Sequence, residues 1–486
     1  MIRTQRYGKP FAAAEIPDVP VAQFRADVVR AFQRGARLLA LTGYADAGGT
    51  RLLAVLAPGE GAVATVSTRV EKAFPSLTPD VPSAHLFERE IFEQLGVQPE
   101  GHPWLKPVRQ PKEATPGVID FYRVEGDEIH EVAVGPVHAG VIEPGHFRFQ
   151  CQGERVLHLE IALGYQHRGV ERALIGGPDA RTLHYMETLA GDTTIGHTLA
   201  YCELLENLTG CRVPPRAQAL RGIALELERL ANHVGDLGAL AGDVAFLPTA
   251  SFCGRLRGDF LNMAALACGS RFGRSWLKPG GVAFDLDAAR VEELQKRLDV
   301  VARDTHGALE LLLETPSVLA RFENTGVVQT ADALAIGLCG VAARACGLEQ
   351  DARQDFPSGI YRFAHLPPPS WHTGDVFARA YVRRLEVERS VAFIREQLAA
   401  LPEGECLAPL DALPADRLGV ACVEGWRGLI CHVARTGADG RFAGYKAIDP
   451  SFRNWMGLAL ALRNGEISDF PLCNKSFNLS YCGFDL

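Results

Sequence analysis

The side chains best equipped for redox or metal chemistry in this chain are its 12 cysteines, and their spacing argues against the commonest use of them. Cys151, Cys202, Cys211, Cys253, Cys268, Cys339, Cys346, Cys406, Cys422, Cys431, Cys473 and Cys482 fall singly, and no two form a C-x-x-C pair. The usual local clamp for zinc or an iron–sulfur cluster, one short loop presenting two thiolates to one site, is therefore missing. Single thiols in a cytosolic chain of this size read as buried side chains.

The elements that must position any site are those of an ordered globular protein. A length of 486 residues suggests about two to four domains at roughly 100 to 200 residues each. Hydrophobic residues make up 47% and charged residues 22%, with a mean hydropathy of +0.01. The formal net charge is -8, with only 8% aromatic residues, so there is no basic stripe to track phosphates and nucleic acid is excluded as a partner. The longest uncharged stretches, such as residues 333–343, are about half of the roughly 18 that a membrane span needs. No apolar run follows the basic residues at the start, which argues against a secretory leader and places the chain in the cytoplasm.

The fold class expected is α+β, with a small N-terminal α+β domain and a large, mainly helical-bundle domain carrying peripheral β-strands. The first, residues 1–105, has an amphipathic helix over 21–32, two strands around a turn at Ala47-Gly-Gly, and a short helix stopped at Gly96. Prolines mark a linker over 106–130. In the second, residues 131–486, a hairpin turns at Gly153-Glu154, and Leu220, Ile223, Leu227, Leu230, Val234 and Leu237 recur at helical spacing. Further helices are expected over 287–314, 331–346 and 374–401, and strands over 418–422, 428–434 and 445–448.

Two stretches of the first domain, Phe74-Pro-Ser-Leu-Thr and Glu88-Arg-Glu-Ile-Phe-Glu-Gln-Leu-Gly-Val-Gln-Pro-Glu-Gly-His-Pro-Trp-Leu, resemble the small hydrophilic subunit of complex I, the proton-pumping NADH:quinone oxidoreductase. The second domain resembles the large subunit of group 4 membrane-bound NiFe hydrogenases, of the hydrogenase-4 or formate hydrogenlyase type, which is related to the quinone-site subunit of complex I. The matching residues, in order, are Gly135-Pro-Val-His, Glu143-Pro-Gly-His-Phe-Arg, His167-Arg-Gly-Val-Glu, Val213-Pro-Pro-Arg-Ala-Gln, Leu225-Glu-Leu-Glu-Arg-Leu, Pro279-Gly-Gly-Val and Ser468-Asp-Phe-Pro-Leu. A fusion of the two modules in this order resembles the hydrogenase subunit of that type.

The departure from the family carries as much as the match. Those hydrogenases hold nickel and iron with four thiolates from two C-x-x-C motifs, and the resemblance puts the four ligand positions on Ala190, Thr193, Ser480 and Gly483. None is cysteine. The expectation is that this chain binds no metal or other cofactor itself, with iron–sulfur clusters in partner subunits, since no other side chains supply four soft anionic ligands. The resemblance implies a former cavity walled by Glu187, Asp192, Thr193, His197, Arg427 and the tail 480–485. Glu187, Asp192, His197 and Arg427 are the catalytic candidates, because a carboxylate beside a histidine can move protons and a guanidinium can orient an anion. Against this, Asp192 could cap the helix starting near Thr194, and His197 and His233 could be satisfied core residues. For a substrate or quinone pocket the candidates are His138, His146, Arg148, Thr193, Ser480 and Cys482, although the quinone-contacting tyrosine of complex I falls on Gly191. The resemblance places His167, Arg168 and Glu171 at the contact with the iron–sulfur subunit, and gives Glu88-Arg-Glu and Gly101-His-Pro a packing and docking role.

The function implied is that of a soluble subunit in the peripheral arm of a membrane-bound, complex-I-like oxidoreductase without a NiFe centre, coupling electron transfer to ion translocation. NAD and quinone chemistry enter through the complex I resemblance. Its expected partners are a small iron–sulfur subunit and membrane antiporter-like and anchor subunits, which would hold it on the cytoplasmic side of the inner membrane. The alternatives are a non-catalytic structural subunit with a degenerate pocket, and a quinone-reducing subunit.

Overall fold

A computed structural model describes every residue except Met1, Ala47, Glu60, 110–118 and 139–141. The class is α+β. Strands β1 (Arg3–Arg6), β2 (Arg37–Asp46), β3 (Gly49–Gly59) and β4 (Ala62–Val70) form an antiparallel sheet in the order β1-β4-β3-β2. Leu52 to Ala57 are buried without alternation, which is the pattern of a strand covered on both faces. Helix α1 (Val21–Gln33) buries Phe24 and Val28. The strands flank the expected turn, of which Ala47 lies outside the described residues.

Helix α2 (His85–Leu95) ends where Gly96 adopts φ +69°, a left-handed conformation that glycine reaches at little cost. Its three successive ionic residues are buried and each has a different task. Glu88 accepts from Ser76 Oγ, Thr78 Oγ1 and the Leu77 amide, all at 2.6 Å, joining the two stretches that carried the first resemblance. Arg89 donates to the Lys106 and Pro107 carbonyls at 2.6 and 2.7 Å. Glu90 accepts from Arg109 and, at 2.7 Å, from Lys446 of the second domain. Of the expected linker, residues 106–109 are thus fastened to α2, 110–118 lie outside the described residues, and the Tyr122 amide donates to Glu160 at 2.7 Å.

Further along the chain lies an antiparallel sheet of β5 (Ile129–Val134), β6 (His146–Gln152) and β7 (Arg155–Ala162), turning at Gly153 as expected. The core that follows is helical: α3 (Thr194–Thr209), α4 (Pro215–Asp243), α5 (Leu247–Cys268), α6 (Ala288–Glu314) and α7 (Val376–Ala399). Sequence periodicity did not reveal α5. The helix expected over 331–346 is two short ones, Thr330–Ile336 and Gly340–Arg344, because Gly337 closes the first at φ +72° and Gly340 opens the second at φ +63°.

The last sheet, β8 (Arg417–Gly425), β9 (Gly428–Thr436) and β10 (Phe442–Ile448), packs against α3 and recruits Phe11–Ala12 from the N-terminus as a fourth strand beside β8. Helix α8 (Pro450–Ala461) and a tail ending in the turn Tyr481–Phe484 complete the chain. No helix among the described residues is long and apolar enough to cross a membrane.

Candidate functional site

Two segments almost 300 residues apart in sequence meet beside the N-terminus of α3. One is the turn Ala190–Thr193, and the other is Ser480–Gly483 at the end of the tail. The Cys482 thiol faces the Gly191 backbone, and burial pushes it up to about 11. Ser480 caps the tail turn by accepting from the Gly483 amide at 2.9 Å. A third segment closes on them: Glu143 accepts from the Tyr481 amide at 3.3 Å, and a Cβ on Gly145 would lie 2.5 Å from the Tyr481 ring, so the loop can approach this closely only with glycine.

Arg427 sits at this junction on the β8–β9 turn. Its guanidinium donates to both Asp192 carboxylate oxygens, at 2.6 and 2.7 Å, while its Nε is held by the Asn478 carbonyl. The guanidinium also lies over the Trp426 ring, 3.9 Å from the centroid. Trp426 Nε1 donates to the Asp192 carbonyl and to Thr193 Oγ1, both at 3.1 Å. Asp192 therefore does not cap α3. Glu228 of α4 does so instead, accepting from the Ile195 and Gly196 amides at 2.6 and 3.1 Å. Burial pushes the Glu228 carboxyl up to about 8, against those two amides, which favour its charged form.

His197, one turn into α3, is fully buried. Its Nε2 lies 2.9 Å from Asp449 Oδ2 and its Nδ1 lies 3.1 Å from His432 Nε2. Asp449 is held by the adjoining Ser451 amide at 2.7 Å and packs directly against Gly483. His233 is a buried core residue whose Nε2 lies 2.6 Å from Glu386, while its Nδ1 has no hydrogen-bond partner.

The remaining candidates divide. Glu187 is buried but faces away from Asp192, anchoring the Ser275 amide and meeting His184 Nδ1 at 3.3 Å. His138 contacts the Gly145 carbonyl at 2.8 Å, and His146 lies 3.2 Å from the Gly135 carbonyl, so both support the loop that Glu143 and Gly145 bring to the tail. Arg148 lies over the Phe121 ring and pairs with Glu131 at 3.3 Å, away from the junction. Arg168 donates to the Thr188 and Leu189 carbonyls, just before the 190–193 turn. His167 and Glu171 line an open cavity of about 720 Å³ between the first and last sheets, together with Arg109, Tyr445 and Lys446. Glu143 and Glu228 lie in two of the matching motifs but were given no role, and His432 and Asp449 were not singled out from the sequence. Asp449 had a local signal of its own, since Asp before Pro450 is a helix-start pattern.

Comparison with known proteins then fixes the lineage. Residues 243–417 match the family described as respiratory-chain NADH dehydrogenase, 49 Kd subunit, and residues 28–118 match the 30 Kd subunit. The carbon monoxide-induced hydrogenase of Rhodospirillum rubrum is 31% identical over 351 residues, covering 72% of this chain and 97% of the relative. The chain belongs to this hydrogenase and NADH dehydrogenase subunit family. Formate hydrogenlyase subunit 5 of Escherichia coli is 28% identical over 460 residues, covering 88% of this chain and 80% of the relative, so both family modules lie in one polypeptide in each. NADH-quinone oxidoreductase subunit 4 of Thermus thermophilus is 32% identical over 282 residues, which is 58% of this chain and 69% of that protein.

Within the family frame, the four positions assigned to nickel ligands form a poor donor set. Ala190 and Gly483 offer no donor atom. Thr193 Oγ1 already receives Trp426, and Ser480 Oγ already receives the Gly483 amide. A side chain at Gly483 would begin 2.8 Å from the Asp449 carboxyl carbon, so the space a fourth thiolate would need is filled. No group of three or more histidine, cysteine or acidic residues among the described residues is arranged to hold a metal ion. The residues present do not fit a NiFe centre.

Proposed function

We propose that this chain is a peripheral-arm subunit of a membrane-bound, complex-I-like oxidoreductase that works without a NiFe centre and couples electron transfer in neighbouring subunits to ion translocation. One observation carries the reading: the segments that would enclose the metal are still brought together, with Asp192 gripped by Arg427, yet two of the four ligand positions have no donor atom. The expected partners are a small iron–sulfur subunit seated over the cavity of His167 and Glu171, and antiporter-like and anchor subunits in the inner membrane, with this chain on the cytoplasmic side. Relatives named as formate hydrogenlyase and NADH-quinone oxidoreductase subunits support membership of a multisubunit assembly.

A non-catalytic, structural reading has an observation of its own: the void beside Asp192 and Glu228 is about 20 Å³, room for about one water. The two readings separate by substitution in the purified complex. Asp192→Ala should abolish turnover while leaving assembly intact; unchanged turnover would favour the scaffold. Metal analysis of the same complex should find no stoichiometric nickel, and finding it would overturn the reading.

A further inference from the structure

One arm of the buried arginine on α2 is left free. Arg89 is only 9% exposed, and it spends Nε on the Lys106 carbonyl and Nη2 on the Pro107 carbonyl. Its Nη1 has no partner among the described residues, yet protein atoms do not seal it off. No carboxylate pairs with this guanidinium. Glu160 is taken by Lys106 Nζ at 2.8 Å and by the Tyr122 amide at 2.7 Å, and Glu93 by the Val108 and Arg109 amides at 2.7 and 3.0 Å. Burial accordingly lowers Arg89 to about 10, against the more distant pull of Glu160 and Glu93.

Arg89 lines a cavity of about 50 Å³, room for about four waters or a molecule of about four to six heavy atoms. The His85 ring lines it too and makes no hydrogen bond of its own among the described residues. Burial, with Arg89 and His102 beside it, lowers this imidazole to about 3, so it stays neutral and keeps one N–H to donate. Much of the remaining wall is apolar, with Leu163, Trp455, Ala459 and Phe484 in it. Pro107, which is exposed, and half-buried Trp104 also line the cavity, so it is reached from solvent. We propose that this cavity is a binding site for a short monocarboxylate of about two to four carbons, held by N–H groups of Arg89 Nη1 and His85, with its chain against the apolar wall.

The free groups select the ligand class. They offer N–H donors and one uncompensated positive charge, so an anionic oxygen fits and an ammonium is refused. The apolar wall disfavours sulfate or phosphate, whose second charge would be buried unpaired. A neutral alcohol would leave the guanidinium without a counter-charge. Glu160, also on the wall, is neutralised by Lys106 and does not repel the incoming carboxylate. The walls come from α2, residues 104–109, the end of β7, α8 and the tail, segments far apart in sequence, so no local pattern announces the site.

The test uses the purified full-length chain and sodium propionate, with binding followed by ligand-observed NMR at fixed ionic strength. Propionate should saturate one site, and 1-propanol, its neutral analogue, should bind at least about tenfold more weakly for want of the charge-assisted bonds. Equal concentrations of sulfate should not displace it. Ala459→Phe fills the apolar wall without removing Arg89 or His85, and should weaken propionate by about tenfold or more. Absence of saturable binding, or unchanged binding in Ala459→Phe, would overturn the proposal, since a cavity that holds only water gives the first result and a surface site the second. Propanol binding as tightly as propionate, or sulfate displacing it, would overturn the monocarboxylate assignment. If Ala459→Phe does not fold, Arg89→Gln decides the matter: loss of propionate binding supports the site and unchanged binding overturns it.

Discussion

Arg427 holds Asp192 in a two-armed grip, 2.6 and 2.7 Å, and by doing so ties the β8–β9 turn to the turn that precedes α3. The arginine is buried and the carboxylate about one-third exposed, so the charges are screened on one side only. This fork-to-fork geometry suits a guanidinium and not an ammonium, which has no second parallel arm.

Arg427→Ala should cost about 2 kcal/mol of stability and Asp192→Ala about 1 kcal/mol, the arginine also losing its stacking on Trp426. Because the two residues act through one another, the double variant should fall well short of the sum, by about 0.5 to 1 kcal/mol in a denaturant double-mutant cycle. Strict additivity would show that the pair is not what holds the turns together.

Glu228 predicts a pH effect of definite sign. Its ordinary value is 4.5, and burial raises it to about 8 in the folded chain. Between those values the folded state holds more protons than the unfolded one, so its contribution is whole below about pH 4.5 and is lost as pH rises through about 8. Glu228→Gln cannot ionise, and it keeps one of the two oxygens that accept separately from the Ile195 and Gly196 amides. In thermal unfolding the wild type should lose about 2 kcal/mol relative to Glu228→Gln between pH 5 and pH 9, a discounted figure because the side chain is only partly shielded from water.

Restoring cysteines at the four ligand positions should not by itself restore nickel. At Gly483 the new side chain collides with Asp449, and overpacking of this kind costs about 1–3 kcal/mol. Gly483→Cys should therefore lower the unfolding midpoint, and Asp449→Ala in the same chain should recover part of the loss. Nickel content of the quadruple variant, with and without Asp449→Ala, checks the consequence.

Glu90 is the ionic pin between the domains, shared by Arg109 and by Lys446 of β10. Burial pushes its carboxyl up, but the two cations dominate and hold it at about 2. Glu90→Ala strips Arg109 of its carboxylate and leaves Lys446 only Glu171, at 3.0 Å, and should cost about 3 kcal/mol. Limited proteolysis should then cleave the variant at protease levels that spare the wild type.

Local pattern makes much of this architecture legible in the sequence. Helix α1, the strands around Ala47, the stop at Gly96, the hairpin at Gly153 and the last three strands each arise from periodicity or turn chemistry within a few residues, and those forces act over the same short span. The order of matching motifs likewise placed the chain in its family. Helix α5 escaped because no single apolar stripe marks it, and the 331–346 helix broke because Gly337 and Gly340 turn the backbone for reasons that lie in what packs around them. At the site, sequence position named Asp192, His197 and Arg427, but not their partners. Glu228, rather than Asp192, caps α3, since an N-terminal amide is satisfied by whichever carboxylate the fold delivers, and Glu228 comes from a different helix. His432 and Asp449 lie 235 and 252 residues from His197. Hydrogen bonds of that separation exist only once α3 has packed on the last sheet, so the contacts of His197 with His432 and Asp449 were decided by tertiary structure alone.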